Sequence, residues 1–279
     1  MLLFLKKHKE KKTMRNFFII LLLVSIILTS NAEERPFIWV DDEDYCPAIY
    51  RGKDGKPTGI FNEIMTELFK RLHIPLKKEV YPWKRAQKLI KEGKADGMIT
   101  TYTKERQKYM VVTKPIWYIN ETLLFRRDNP KACKILKVNS FDDLREFIIV
   151  ETIGSGWTEE KYKEHGIKKI IWVPTVDSAF NMVAKGRADV YMMYSWNAFS
   201  LLLKKRAEGG PLAKGYQNMV AIAPTFATLP FRLLIRKDSP FAKRIEDFNR
   251  VIEEMKKDGT FRRIKIKYAG MTPVLCNKR

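Results

Sequence analysis

The chain has 279 residues, 45% of them hydrophobic and 12% aromatic, and carries 53 Lys and Arg against 32 Asp and Glu, a formal charge of +21. That is apolar material enough for one large or two small domains with real cores. The basic residues are scattered along what read as solvated helix faces, as in "KKDGTFRRIKIK" (256–267), so the charge speaks for solubility and attraction to anionic surfaces, and no nucleic-acid partner is expected.

A basic segment (Lys6, Lys7, Lys9, Lys11, Lys12, Arg15) precedes the apolar run "FFIILLLVSIILTS" from Phe17 to Ser30, and Ser30 and Ala32 occupy the −3 and −1 positions before Glu33. This pattern predicts a secretory signal peptide over residues 1–32, cleaved after Ala32. The apolar core falls short of the roughly 20 residues of a membrane span. Loss of that segment removes six basic residues and one acidic residue, leaving 47 against 31 and a charge of +16. The expected product is exported, soluble and periplasmic.

Cys46, Cys133 and Cys276 lie far apart. An oxidising compartment permits one disulfide among them and leaves an odd thiol; Cys46 with Cys276 is one possible pairing. No CxxC spacing occurs, and beyond the leader only His73 and His165 remain, so no metal is expected. No glycine-rich phosphate loop and no GxSxG elbow appear, so no cofactor and no catalytic residue are expected.

Along the mature chain, "PFIWV" (36–40) reads as a buried strand and "DDEDY" as a polar loop. The spacing of Ile60, Phe61, Ile64, Met65, Leu68 and Leu72 predicts a helix over 59–74. "KKEVYPW" reads as strand into loop, "WKRAQKLIKEG" as a helix stopped by Gly93, and "ADGMITTY" as the next strand. This βαβα alternation argues for a mostly parallel sheet covered by helices. "AQKLIKEGKADGMI" (86–99) and "AFNMVAKGRADVYM" (179–192) both run helix, glycine, basic residue, Ala-Asp, strand. Either glycine alone would be an ordinary helix stop; together they suggest two α/β lobes of similar design, with a cleft between them fit for a ligand. "NSFDDLREF" (139–147), "GSGWTEEKYKEHG" and "KKIIWV" build the second unit, and the chain turns helical from Phe241.

The order "DYCPAIYRGKDGKPTGIFNEIM", "GKADGMITTYTKERQKYMVVTKPI", "IVETIGSGW", "GRADVYMM" and "LLIRKDSPFAKRIEDFNRVIEEMKKDGTFRRIKIKY" resembles the family 3 extracellular solute-binding proteins, the periplasmic receptors of polar amino-acid ABC importers. The resemblance runs from about Arg35 to Tyr268. It implies an α/β, two-lobed periplasmic-binding-protein fold (type II), with the cleft between lobes joined by a two-strand hinge. The implied lobes are 33–123 and 225–279 for the first and 124–224 for the second, crossing near Glu121–Leu124 and Pro224–Ala227. It also implies a monomer that captures a small carboxylate-bearing solute and delivers it to a membrane ABC permease.

In that family the strand end before the arginine holds the ligand carboxylate, and the matching positions are Thr101 and Arg106, with Thr100 beside them. A planar guanidinium suits a carboxylate through two parallel hydrogen bonds, and a helix start capped by Thr103 favours an anion. "GSGW" matches the loop whose backbone N–H groups meet the same carboxylate, which brings in Ser155 and Gly156, with Gly154 allowing close approach. Trp157 and Tyr45 are candidates to stack on the ligand; Trp83 and Arg85 of "YPWKRA" are candidates to face the cleft. Family receptors place an aspartate where this chain has Tyr194. Either Asp42, Glu43 or Asp44 takes over the ligand ammonium, or the ligand has none. Two other readings follow from the same scaffold: an exported cyclohexadienyl dehydratase-like lyase, with Glu63 or Glu151 as acid or base, and a subunit that presents its ligand to a membrane sensor.

Overall fold

The computed structural model describes residues 35–224 and 226–268. The expected leader and Cys276 lie outside the described residues. Cys46 is disulfide-bonded, and Cys133 is free and exposed. Among the described residues no helix is long and apolar enough to cross a membrane.

In chain order the first half holds β1 (Phe37–Asp42), β2 (Asp44–Tyr45), β3 (Ile49–Arg51), β4 (Pro57–Thr58), α1 (Ile60–Leu72), β5 (Leu76–Tyr81), α2 (Trp83–Lys91), β6 (Gly97–Thr100), α3 (Lys104–Gln107) and β7 (Met110–Arg126). The periodic apolar positions of α1 are all buried, and His73 in the left-handed region closes the helix. The stretch 41–45, expected as loop, is instead largely strand: β1 runs through Asp42, and β2 starts a small antiparallel sheet with β3 and β4. Asp41 explains the difference. Its carboxylate turns inward and accepts from the Trp39 indole and the Ile99 amide, each at 3.0 Å, so charge alone did not send the chain to water.

The second half holds α4 (Ala132–Ile135), a 3₁₀ turn (Asp142–Glu146), β8 (Ile149–Thr152), α5 (Gly156–Glu164), β9 (Ile170–Val173), α6 (Val176–Ala184), β10 (Val190–Tyr194), α7 (Ser195–Glu208), α8 (Ala213–Asn218) and β11 (Met219–Ile222). β12 (Thr228–Arg236), a second 3₁₀ turn (Pro240–Arg244), α9 (Ile245–Lys257) and α10 (Thr260–Tyr268) complete it.

The strand order is β5-β1-β6-β12-β7-β10-β8-β9, with β11 also on β7. β1 is parallel to β5 and β6, and β8 is parallel to β9 and β10, the expected parallel pattern on both sides. The hydrogen-bonded path is continuous because β7 serves both sides. Its residues 110–120 pair with β12, and its residues 121–126 pair with β10 and β11. At the changeover the Glu121 amide donates to the Ala227 carbonyl at 2.8 Å. Two separate sets of cores sit on either side: Phe37, Phe69, Phe241 and Phe248 mark the first, and Phe125, Phe147, Phe180 and Tyr191 the second. Two lobes share one strand.

The internal echo has a physical counterpart. Gly93 and Gly186 both take positive φ (77° and 68°) where their helices stop. Three residues on, Asp96 and Ile38 exchange two bonds at 2.8 Å, amide to carboxylate and amide to carbonyl. Asp189 and Ile148 do the same at 2.8 and 2.7 Å. Each Ala-Asp thus latches its strand onto the neighbouring chain of its own lobe, which is why the motif recurs.

Phe248 is fully buried, with its ring 5.5 Å from Phe69 and 6.3 Å from Phe37. Phe248→Ala is expected to cost about 3–5 kcal/mol, read as a lower urea midpoint at unchanged slope. Arg250→Ala on the exposed face of the same helix should stay within about 0.5 kcal/mol of the parent.

Candidate functional site

A cavity of about 180 Å³ lies between the two lobes, walled by the ends of β1, β6, β8 and β10 and by the starts of α2 and α5. Most of the residues singled out from the sequence line it, while Thr103, Glu43, Glu63 and Arg85 do not. Thr100, Thr101, Arg106, Tyr45, Asp44 and Trp83 come from the first lobe; Ser155, Gly156, Trp157 and Tyr194 come from the second.

Arg106 stands at its centre. The chain leaves β6 at Thr100, and Thr103 caps α3 by accepting from the Arg106 amide at 3.3 Å. This cap turns the guanidinium back under the strand end. Nη1 donates to the Thr101 carbonyl (2.8 Å), Thr101 Oγ1 (3.1 Å) and Thr100 Oγ1 (3.2 Å), and Nη2 donates to Gln87 Oε1 (3.2 Å). The Trp83 ring lies 5.5 Å from the guanidinium carbon. The side chain is 4% exposed, and burial pushes its pKa down. Among the described residues no carboxylate pairs with it, and its side-chain hydrogen bonds run from Nη1 and Nη2 to neutral oxygens. A buried cation held in place with an open edge is a ready site for an anion.

The second lobe meets that edge. A Cβ on Gly156 would stand 4.0 Å from Arg106 Nη2, so the small residue leaves room where α5 begins. Gly154 has φ 102°, which a side chain would strain. Ser155 is tied inward: its hydroxyl donates to Glu151 at 2.9 Å and its amide to the Thr152 carbonyl at 3.2 Å. The face open to a ligand is therefore the first turn of α5 itself. Trp157 packs on the cores of both lobes and stands edge-on to Phe141, at 5.7 Å. Tyr45, Tyr194 and Phe231 form an aromatic wall, with centroids 5.3–6.1 Å apart.

The acids sort themselves clearly. Glu43 binds Arg51 at 2.7 Å and does not line the cavity; Asp42 and Asp44 do. Arg85 sits over Tyr81, 4.6 Å from the ring centroid, and not in the cleft. Glu63 pairs with Lys267 (2.6 Å) and the Tyr268 hydroxyl (2.7 Å), which removes it as a candidate acid or base. Glu151 does reach the cavity. It accepts from the Thr152 amide (2.7 Å), the Thr152 hydroxyl (3.1 Å) and Ser155, yet burial pushes its pKa up to about 7. Burial likewise raises Asp41 to about 7 and Asp42 to about 6.

Glu121 is the wall residue that sequence reasoning missed. It is 1% exposed, burial pushes its pKa well above the carboxylate range, and Glu151 adds to the rise. Its Oε2 has no hydrogen-bond partner. The available signal was an acid directly before Thr122 and the apolar run "LLF" (123–125) within a strand-like stretch.

Residues 38–271 match the bacterial extracellular solute-binding proteins, family 3. A curated relative, YxeM of Bacillus subtilis (strain 168), named a probable amino-acid-binding protein, is 26% identical over 227 residues, covering 80% of this chain and 79% of its own. A histidine kinase sensor domain with similarity to periplasmic binding proteins superposes with a TM-score of 0.70 at 20% identity, covering 85% of this chain and 97% of that one. The ancestral amino acid-binding protein AncCDT-1, a precursor of cyclohexadienyl dehydratase, superposes with a TM-score of 0.61 at 25% identity, covering 84% and 94%. With a match over nearly all of the described residues and a two-lobed α/β fold around one cleft, the chain belongs to the family 3 extracellular solute-binding proteins.

Proposed function

We propose that the protein is a periplasmic receptor that closes on a small carboxylate-bearing solute, an amino acid or a close relative, and delivers it to a membrane ABC importer. The observation that carries this reading is the buried, carboxylate-free guanidinium of Arg106, its open edge aimed at the start of α5. A solute carboxylate would complete both, touching each lobe and so biasing the hinge toward closure. The lobes are taken as 33–123 with 225–279, and 124–224. The amino-acid-binding relative supports the ligand class; the sensor domain, at 20% identity, speaks only for the fold.

A second reading keeps one observation behind it. Glu121 and Glu151 are buried acids in the cleft, and Glu151 titrates at about 7, suited to proton transfer. A lyase descended from a binding protein, as cyclohexadienyl dehydratase is from its precursor AncCDT-1, would use such a group. Chromatography of ligand mixtures after incubation separates the two: a new product supports the lyase, and recovery of intact ligand supports the receptor.

Arg106→Ala should weaken binding of a carboxylate-bearing ligand by about 2–5 kcal/mol, roughly 30-fold to several thousand-fold. Arg106→Lys should recover only part, since a point charge cannot reproduce a two-pronged grip. The exposed Arg127 is the control. Titration followed by the fluorescence of Trp83 and Trp157 reads all three, and unchanged affinity in Arg106→Ala would remove the clamp.

The empty cleft should also show its acids in its stability. Glu151 keeps its proton to about pH 7 when folded but releases it near 4.5 when unfolded. The folded state therefore binds more protons between those values, and stability falls as pH rises across that window, by up to about 3 kcal/mol for this one group. Glu151→Gln should make the ligand-free decline between pH 5 and 7.5 shallower than the parent's by differential scanning fluorimetry, with Asp41 and Asp42 keeping part of it; an equally steep decline would overturn this.

A further inference from the structure

β10 and β7 are antiparallel, and their register sets Tyr194 directly opposite Glu121. Residues so paired carry side chains on one face, with Cβ atoms about 4.5–5.5 Å apart. The carboxylate absent from position 194 is thus present on the neighbouring strand, beside the same spot. We propose that Glu121, backed by Glu151, is the counter-charge for a cationic nitrogen of the ligand. This rests on the receptor reading above, and it assigns the end of the cleft which that reading leaves open.

Three observations converge here. Glu121 is buried and Oε2 lacks any partner, while its rivals are engaged: Asp41 accepts three bonds and Glu151 accepts from Thr152 and Ser155. The Tyr45 hydroxyl, across the aromatic wall, is also buried and unpartnered. Two unsatisfied oxygens in one wall mark a place where a donor belongs. The rings of Tyr45, Tyr194 and Phe231 beside them add faces that attract a cation. Finally, the charge of the cavity is lopsided, with Asp41, Asp42, Asp44, Glu121 and Glu151 against Arg106 alone. A dicarboxylate would satisfy Arg106 and leave its second charge facing those acids. A solute with a carboxylate at one end and a cation at the other matches both.

Proton release follows from the same arrangement. Glu121 is faced by Glu151 from β8, by Tyr191 and Tyr194 from β10, by Tyr162 from α5 and by Tyr45 across the cleft, with Asp41 and Asp42 acting on Tyr45 and Arg106 on Tyr194. Of these only Arg106 is positive. In the empty cleft Glu121 therefore holds a proton, because a lone carboxylate buried among acids and phenols is disfavoured. A cation seated against it favours the charged form, so binding expels the proton and tightens as pH rises.

The test uses L-arginine, its decarboxylated counterpart agmatine, and glutarate, which has carboxylates only. Calorimetric titrations at pH 5.5 in MES and in Bis-Tris, and at pH 8.0 in HEPES and in Tris, give affinity and the number of protons released. L-arginine should bind with proton release, more tightly at pH 8.0. Glu121→Gln should weaken it by about 30-fold or more and cancel the release, while Arg106→Ala should weaken it and keep the release. The proton count on the unsubstituted protein stands even if Glu121→Gln fails to fold. Unchanged affinity in Glu121→Gln, L-arginine binding without proton release, no binding of L-arginine or agmatine at millimolar concentration, or glutarate binding more tightly than L-arginine each overturns the inference. Glutarate binding that needs Arg106 would leave the receptor reading intact. Agmatine binding as tightly as L-arginine, through Glu121, would uphold the inference and remove the carboxylate clamp.

Discussion

Taking a guanidinium out of water is costly unless something replaces its solvation, and this fold is arranged around one such group. Arg106 receives its partial solvation from the Thr101 carbonyl, two threonine hydroxyls, Gln87 and a tryptophan face, all neutral. None of them cancels the charge. The strand end, the short capped helix and the tryptophan of α2 are held together by that demand, and the second lobe brings a helix start to the same point. The remaining attraction is left for a molecule from outside.

The opposing acids make the cleft a device with two unlike poles. One pole is charged at any physiological pH, because a guanidinium does not give up its proton. The other is set by carboxyl groups whose charge depends on what sits beside them. On the proposed reading a solute of a single charge type would satisfy one pole at the expense of the other, and discrimination against simple acids and simple amines would arise from the cavity as a whole.

Much of this was legible in the chain. Hydroxyls at a strand end followed by a capped arginine, glycines before a helix, and the repeated Gly-basic-Ala-Asp run each have local causes, and the local cause survived folding: Thr103 does cap, Gly154 does take positive φ, and both Ala-Asp aspartates do latch a strand. What escaped was set by distant partners. The acids at 41–42 read as loop because the Ile99 amide that helps the Trp39 indole draw Asp41 inward comes from a strand far along the chain. Glu121 was passed over because its meaning lies in a cross-strand neighbour seventy-three residues later, Tyr194. The helices over 195–218 carry no clean amphipathic period, and the 17-residue length of β7 reflects two lobes using it in turn.

That shared strand also dictates an order of assembly. Residues 123–221 hold nearly all the partners of the second lobe's cores in one continuous stretch, so that lobe has its core within a single segment of chain. The first lobe does not, because β6 awaits β12, and Thr100 is matched to Arg232 across the whole intervening segment. Closing so large a loop in an open chain is slow and entropically unfavourable. Once the inserted lobe has formed, its two ends emerge side by side at β7 and β12, and the closure has been made in advance. The strand that couples the lobes in the finished molecule is then also the splint on which the first lobe is completed.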